Sequence, residues 1–318
     1  MLLSEFIRSG TARLETLYPS PEARGLVLML CRERLGVTNY THIVEPATAI
    51  PPEREAELAA DLDRLCAGEP VQYVLGFAEF CGHRFAVGPG VLVPRPETEL
   101  LVAEAVRALR EMDLDRAPKV LDLCTGLGCI AWSIALEIHD AEVVGIDLSD
   151  IALQYARHQF AGGRSLPDGA DGNYFSDRFA EKPISAPLSA AGERPVCWCP
   201  PRFLQADILD TEQAFDGGPL DLVVGNPPYV LERERALMRP NVLDWEPATA
   251  LFVPDGDPLR FYRAIARWAQ RFLRPGGAGL VEINEALGAE TAAVFAGAGF
   301  KNVQILPDFA KKDRFIRF

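Results

Sequence analysis

The chain has 318 residues, 48% of them hydrophobic and 24% charged, and a net charge of −13. That length suits one large domain plus a small one, and the composition is ordinary for a soluble globular protein. Such acidity argues against a partner held mainly through phosphate contacts, which needs clustered Lys and Arg.

A protein substrate or a small cationic ligand suits the charge better, and no direct nucleic-acid or membrane partner is expected. The longest apolar run, Leu26 to Cys31, is far too short to span a bilayer. Nor does the N-terminus show a basic segment leading into an apolar one. The seven cysteines are irregularly spaced, so reduced thiols and a cytoplasmic location are expected.

In chain order, the first 68 residues read as helical. Ser20 before Pro21 predicts an N-cap with proline at the first helical position, and Gly36 predicts a stop. Pro51-Pro52-Glu53 opens another helix, in which Leu58, Leu62 and Leu65 recur on one face, with Gly68 as its stop. Nothing here looks chemical; the segment binds a partner, packs as a lid, or supports the rest.

From Glu69 the character changes. Glu79-Phe80 and His83 to Val87, followed by Gly88-Pro89-Gly90 and Val91-Leu92-Val93, predict a β-hairpin linker. Pro94-Arg95-Pro96-Glu97-Thr98-Glu99 opens a helix running to about Met112. Its acidic residues either answer the helix dipole or cover the mouth of an active site.

Next comes a strand, Val120 to Leu123, a loop Cys124-Thr125-Gly126-Leu127-Gly128, and a helix from Cys129. The glycines let backbone N–H groups approach a ligand. A second strand, Val143 to Ile146, ends in Asp147, where a carboxylate can accept from both ribose hydroxyls of a nucleoside. A third, Arg202 to Gln205, leads to Asp207 and Ile208. Asp207 reads equally as an acceptor for an adenine amino group or as a solvated loop carboxylate.

Residues 161–200 form a Gly/Pro/Ala/Ser-rich insertion. Within it, Cys197-Trp198-Cys199 offers two thiolates, but His42, His83, His139 and His158 show no ligand spacing around them. No metal site is expected.

The apolar run Leu220 to Val224 stops at Gly225-Asn226-Pro227-Pro228-Tyr229. Two prolines stiffen this edge and leave carbonyls unpaired beside an amide and an aromatic ring. It resembles the Asn-Pro-Pro-Tyr motif of S-adenosylmethionine enzymes that methylate amide or exocyclic amino nitrogens; a stiff surface turn is the alternative. Then come Trp245-Glu246-Pro247, a helix from Phe261 to Phe272, and a Pro275-Gly276-Gly277 turn. A buried strand from Gly279 to Ile283 follows, then a helix from Leu287 to Ala298. The chain closes on a terminal hairpin, Val303 to Leu306 with Arg314 to Phe318.

Together, Glu69-Pro70-x-Gln72-Tyr73-x-x-Gly76, Pro94–Glu99, Gly225–Tyr229 and Trp245–Pro247 resemble the HemK/PrmC family. These are the protein-(glutamine-N(5)) methyltransferases that modify the Gly-Gly-Gln loop of class I peptide-chain release factors. The resemblance runs from about Glu69 to the C-terminus, apart from the insertion. It implies an α/β, Rossmann-like fold with a seven-stranded, mostly parallel sheet carrying an antiparallel strand near one edge. The expected division is a helical recognition domain at 1–76, a hairpin linker at 77–93 and a methyltransferase domain at 94–318.

It further implies S-adenosyl-L-methionine as cofactor, with S-adenosyl-L-homocysteine as product. The cofactor would be held by Cys124, Thr125, Gly126, Leu127, Gly128, Asp147, Asp207, Ile208 and Asn226. The glutamine would be held by Asn226, Pro227, Pro228 and Tyr229, with Asn226, Pro227 and Tyr229 catalytic. Departures are Cys124 where glycine is usual, which predicts a less tight turn, Pro258, Asn284 and the insertion. The alternatives are an amino-group methyltransferase acting on DNA, RNA or a ribosomal protein, and a non-catalytic protein of the same fold.

Overall fold

The computed structural model describes residues 1–160 and 199–318. The expected insertion at 161–200 lies outside the described residues except for its last two positions, and Cys197 and Trp198 lie outside them too. The chain forms two units: Met1–Phe77 with Arg239–Trp245, and Ala78–Met238 with Glu246–Phe318.

The first unit packs helices Leu3–Leu14, Ser20–Leu35 and Pro52–Cys66 around Leu14, Leu30, Leu58, Leu62 and Leu65, all buried. Ser20 is not the cap that the sequence predicts. It is already helical, which moves Pro21 to the second position and leaves the cap to Pro19, without a capping side chain. Gly36 stops this helix at φ 69°, a left-handed conformation that glycine adopts freely.

Glu69 has a packing role: buried, it takes the Arg64 guanidinium on both carboxylate oxygens, one of them from Nε at 2.7 Å. Arg64 also donates to the Tyr73 carbonyl at 3.3 Å, in the short helix Val71–Leu75. Arg34 pairs with Asp61 at 2.5 Å and donates to the Val74 carbonyl at 2.8 Å. The late segment joins the same unit through Arg239, whose guanidinium donates to Glu22 at 2.6 Å.

Strands β1 (Phe77–Phe80) and β2 (His83–Ala86) pair as the predicted hairpin. Gln159 holds β2, accepting from the Ala86 N–H at 2.8 Å and donating to the Ala86 carbonyl at 2.9 Å. Val91 to Val93 adds no strand; the Val93 N–H donates to Glu246 instead, at 2.9 Å.

The second unit is built on β3 (Lys119–Leu123), β4 (Glu142–Asp147), β5 (Arg202–Gln205) and β6 (Leu220–Gly225). A small parallel pair follows, β7 (Val230–Leu231) with β8 (Phe252–Val253), then β9 (Leu273–Glu282), β10 (Gln304–Pro307) and β11 (Asp313–Arg317). The main sheet runs β10-β11-β9-β6-β3-β4-β5. All neighbours from β9 to β5 are parallel, while β11 is antiparallel to both β9 and β10. This is the seven-stranded, Rossmann-like arrangement the sequence implies.

Register brings the strand ends level: Leu123 lies opposite both Ile146 and Gly225, and Asp147 opposite Gln205. Loops leaving β3, β4, β5 and β6 therefore meet at one carboxyl edge, where parallel α/β sheets bind ligands. The core on this sheet includes Leu121, Val223, Val281, Tyr262, Ile265 and Trp268. Among the described residues, no helix is long and apolar enough to cross a membrane.

The predicted turn at Pro275-Gly276-Gly277 does not precede the strand. It lies inside β9 as a bulge, where β6 advances from Leu220 to Leu222 while β9 advances from Leu273 to Ala278. Gly276, at φ 79°, lets the chain loop out and rejoin the same ladder. At this end of the sheet Asp221 is wholly buried. It accepts from Arg116 at 2.7 and 3.0 Å, from Arg274 at 2.5 Å and from the Lys119 N–H at 2.8 Å. Burial pushes its pKa up, but the Arg116, Lys119 and Arg274 hydrogen bonds outweigh that and hold it below the usual value.

Candidate active site

At the carboxyl edge the loop Cys124–Gly128 turns tightly. Gly126 and Gly128 lie at φ 57° and 84°, and Cys124 itself at φ 61°. The looser turn expected from Cys124 does not occur: the cysteine takes the left-handed conformation of a glycine, at a cost of roughly 1–2 kcal/mol. Register and hydrogen bonds impose it. The Thr125 N–H donates to the Ile146 carbonyl at 2.9 Å, and the Thr125 hydroxyl to Asp122 at 2.5 Å.

A Cβ on Gly128 would sit 3.0 Å from the Phe203 ring and 3.1 Å from Ala156, whereas one on Gly126 would meet nothing within 4 Å. The loop is thus packed on one side and open at Gly126. Leu127 is buried, and its carbonyl accepts from Gln159 at 3.4 Å.

Asp147 ends β4 beside this loop. One oxygen accepts from the Gly126 N–H and the other from the Ser149 N–H, each at 2.8 Å. Burial raises its pKa against those hydrogen bonds. Asp207, beyond β5, accepts from the Leu209 N–H at 2.8 Å, so it caps a turn and is only partly exposed. Ile208 is buried, its carbonyl taking the Trp268 indole N–H at 3.1 Å.

Beneath the loop, burial pushes the Asp122 carboxyl up to about 7, against the hydrogen bond from Thr125. Its ordinary value is 3.8, so folding favours the protonated form. That contribution is complete below the unfolded value and is lost as pH rises through the folded one. Asp122→Asn removes the titration while keeping an acceptor for Thr125. The stability difference, variant minus wild type, is therefore expected to grow in the variant's favour by on the order of 3 kcal/mol between about pH 5 and about pH 8. Denaturation curves at both pH values check this, and a constant difference would exclude Asp122 as the titrating group.

Asn226 directly follows β6, and Gly225 before it tolerates no side chain, since a Cβ there would lie 2.7 Å from the Leu123 carbonyl oxygen. The Asn226 amide nitrogen donates to the Thr98 hydroxyl at 3.3 Å. Thr98 donates in turn to one oxygen of Glu282 at 2.7 Å, and the Tyr229 hydroxyl donates to the other at 2.9 Å. Glu282 is 1% exposed and Thr98 2%. Burial raises the Glu282 pKa, opposed by these two hydroxyls and by the Arg314 charge. Burial first, then the Glu282 charge, pushes the Tyr229 phenol far above its ordinary value.

Pro227 and Pro228 are buried. None of the hydrogen bonds among the described residues uses the Asn226 side-chain oxygen or the Pro227 carbonyl. Asn284, one of the departures from the family pattern, secures the segment from outside. It donates to the Tyr229 carbonyl at 3.2 Å and to Glu234 at 3.0 Å.

Pro94–Glu99 is anchored by Glu246, which is buried and accepts from Arg95 at 2.6 Å. Thr98, Glu282 and Gln159 carried no role in the sequence reading. A carboxylate closing an apolar strand was the available signal for Glu282, because a buried charge needs partners. Among the described residues, no group of three or more His, Cys, Asp or Glu could hold a metal ion.

The edge thus offers carboxylates at Asp147 and Asp207, backbone at an open glycine, and two unengaged acceptor oxygens. Such a set fits a ligand that is cationic and carries hydroxyl and amino donors, as S-adenosyl-L-methionine does.

A family model for the PrmC N-terminal domain matches residues 5–76. A release factor glutamine methyltransferase of Bacteroides thetaiotaomicron is 36% identical over 314 residues, spanning 99% of this chain and 98% of that protein. The chain belongs to the release factor glutamine methyltransferase family. Other members are similar too: that of Chlorobaculum tepidum is 38% identical over 82% of this chain and 78% of its own. That of Deinococcus radiodurans is 31% identical over 100% and 98%. Solved structures align more loosely. A 16S rRNA N2 G1207 methyltransferase of T. Thermophilus reaches a TM-score of 0.44 at 18% identity, over 76% of this chain and 48% of that one. For this family member the fold therefore rests on its own strand order.

Proposed function

We propose that the protein methylates the side-chain amide nitrogen of the glutamine in the Gly-Gly-Gln motif of class I release factors. S-adenosyl-L-methionine would be the donor and S-adenosyl-L-homocysteine the product. The observation that carries this reading is the Asn226 amide, with its nitrogen tied inward and its oxygen unengaged beside the unengaged Pro227 carbonyl.

An amide nitrogen is a poor nucleophile, because its lone pair is delocalised into the carbonyl. When bound, the cofactor supplies a sulfonium-activated methyl group, which leaves the protein to bind and orient. Asn226 Oδ1 and the Pro227 carbonyl accept the two N–H bonds of the glutamine amide. That aims the nitrogen and stabilises the positive charge it develops; placement of this kind is worth up to about 7–11 kcal/mol. Tyr229 and Pro228 line the acceptor. Tyr229 takes no proton, since its phenol is already committed to Glu282.

Cys124, Thr125, Gly126, Leu127 and Gly128 bring backbone to the cofactor, and Asp147 accepts from its ribose hydroxyls. Asp207 accepts from the adenine amino group beside Ile208, and Asn226 closes the methyl end. Residues 1–76, joined by Arg239–Trp245, serve as the recognition domain, 77–93 as linker and the rest of 94–318 as the catalytic domain. A substrate in the translation machinery implies a cytoplasmic protein. The relatives' names favour a release factor over DNA, RNA, a ribosomal protein or a non-catalytic role.

The test is transfer of a labelled methyl group to a purified release factor and to its Gly-Gly-Gln→Gly-Gly-Ala variant. Label on the first alone is expected. Equal label on both would refute the acceptor, and no label with cofactor bound would refute the activity.

A further inference from the structure

We infer that Thr98 is a positioning residue, a one-way relay between Glu282 and Asn226 that decides which end of the Asn226 amide faces the acceptor. The inference deepens the proposed function and rests on that reading for its catalytic consequence. Its structural part stands alone.

Glu282 meets two hydroxyls, one on each carboxylate oxygen: Tyr229 at 2.9 Å and Thr98 at 2.7 Å. A carboxylate only accepts, so each hydroxyl spends its single proton there. Thr98 then has only lone pairs left for its other neighbour, Asn226, at 3.3 Å. A lone pair selects Nδ2 and rejects Oδ1, so the amide nitrogen is drawn inward and the oxygen is turned out. With the amide reversed, two oxygens would face each other across a buried site, and an NH2 group would be presented to the NH2 of the incoming glutamine. Such a surface repels the substrate atom it has to hold.

Three elements carry the relay. Thr98 opens the helix Thr98–Glu111, Glu282 ends β9, and Asn226 follows β6. Thr98 and Glu282 are both almost completely buried, so water does not compete for these bonds. The anchor on Pro94–Glu99, Glu246 holding Arg95 and the Val93 N–H, fixes the segment from which Thr98 reaches in.

The experiment compares Thr98→Val, which keeps the shape and loses the hydroxyl, with Thr98→Ser, which keeps the hydroxyl. Two readouts are taken. One is the side-chain amide NMR signal of Asn226 in the cofactor-free protein, assigned by its absence from Asn226→Ala. The other is steady-state methylation of the release factor.

Thr98→Val is expected to shift the Asn226 amide protons and speed their exchange with solvent, while Thr98→Ser preserves the wild-type pattern. In turnover, Thr98→Val loses about tenfold in kcat with KM for the release factor little changed, the size of one hydrogen bond's bias. Thr98→Ser restores most of it. On an Asn226→Ala background Thr98→Val adds no further loss, because the residue it acts through is gone.

An Asn226 signal unchanged in Thr98→Val overturns the relay, as does a full additional loss on the Asn226→Ala background. If the signal responds as expected but wild-type enzyme does not label the release factor, the relay stands and the assigned substrate falls.

Discussion

Asn226→Ala is expected to cut turnover about 10²–10³-fold while leaving the affinity for S-adenosyl-L-methionine within a few-fold of wild type. The size follows from losing one preorganised hydrogen bond to charge that develops only in the transition state, typically about 3–4 kcal/mol. The selectivity follows from the layout. In the proposed site, cofactor contacts would be spread over the Cys124–Gly128 loop, Asp147 and Asp207, whereas the glutamine amide would have only Asn226 Oδ1 and one backbone carbonyl. Removing the side chain leaves Pro227 and the stiff loop in place, so geometry survives while half of the amide cradle is lost. Single-turnover rates beside equilibrium cofactor binding make the comparison. Parallel loss of both quantities would show that Asn226 serves the cofactor and not the acceptor.

The largest stability effect is expected at the other end of the same strand. Asp221→Ala removes the common acceptor of Arg116, Arg274 and the Lys119 N–H. Breaking a buried ion pair from one side costs about 3–5 kcal/mol, because the partner is stranded. The lower part of that range is expected here, since Arg116 reaches solvent with 39% of its side chain exposed and Arg274 with 26%. Urea unfolding reads the loss directly. The kcat of the folded fraction is expected to hold, because Asp221 lies at the start of β6 and Asn226 just past its end. A variant of normal stability with depressed kcat would contradict this division of labour.

The contrast between those two residues shows what was legible. Asn226 stood out because it sits between a buried strand and two prolines, a local pattern that belongs to chemistry. Asp221 lies in the same apolar run and carries no such pattern. Its partners are more than 50 residues away in either direction. Asp147 drew notice as a carboxylate ending the strand that follows the glycine loop, and the seven mostly parallel strands with an antiparallel one near an edge, implied by family resemblance, are matched by the sheet.

Where the structure departs from the sequence pattern, the reasons are physical. The turn at Pro275-Gly276-Gly277 looks like a boundary, yet a bulge and a boundary share the same residues; only the partner strand tells them apart. Cys124 looks like a loosened turn because cysteine disfavours positive φ. Hydrogen bonds from Thr125 to β4 and to Asp122 were strong enough to impose the conformation regardless. Thr98 and Glu282 were hidden because their meaning lies in which hydroxyl proton is already spent, and that is not a property of either segment alone.

The helical unit draws one stretch from ahead of the catalytic fold and one from within its sequence. Its first stretch ends at Phe77, and its last, Arg239–Trp245, is reached only after the chain has laid down β3 through β7. During synthesis the surface around Glu22 therefore stays uncovered until Arg239 has left the ribosome. Contacts so distant in sequence are closed late and carry a loop-closure cost. Cutting the chain after Phe77 would separate Arg239–Trp245 from its packing partners while leaving every residue of the second unit on the C-terminal fragment. The helical unit is thus completed out of chain order, although its core comes entirely from its first stretch.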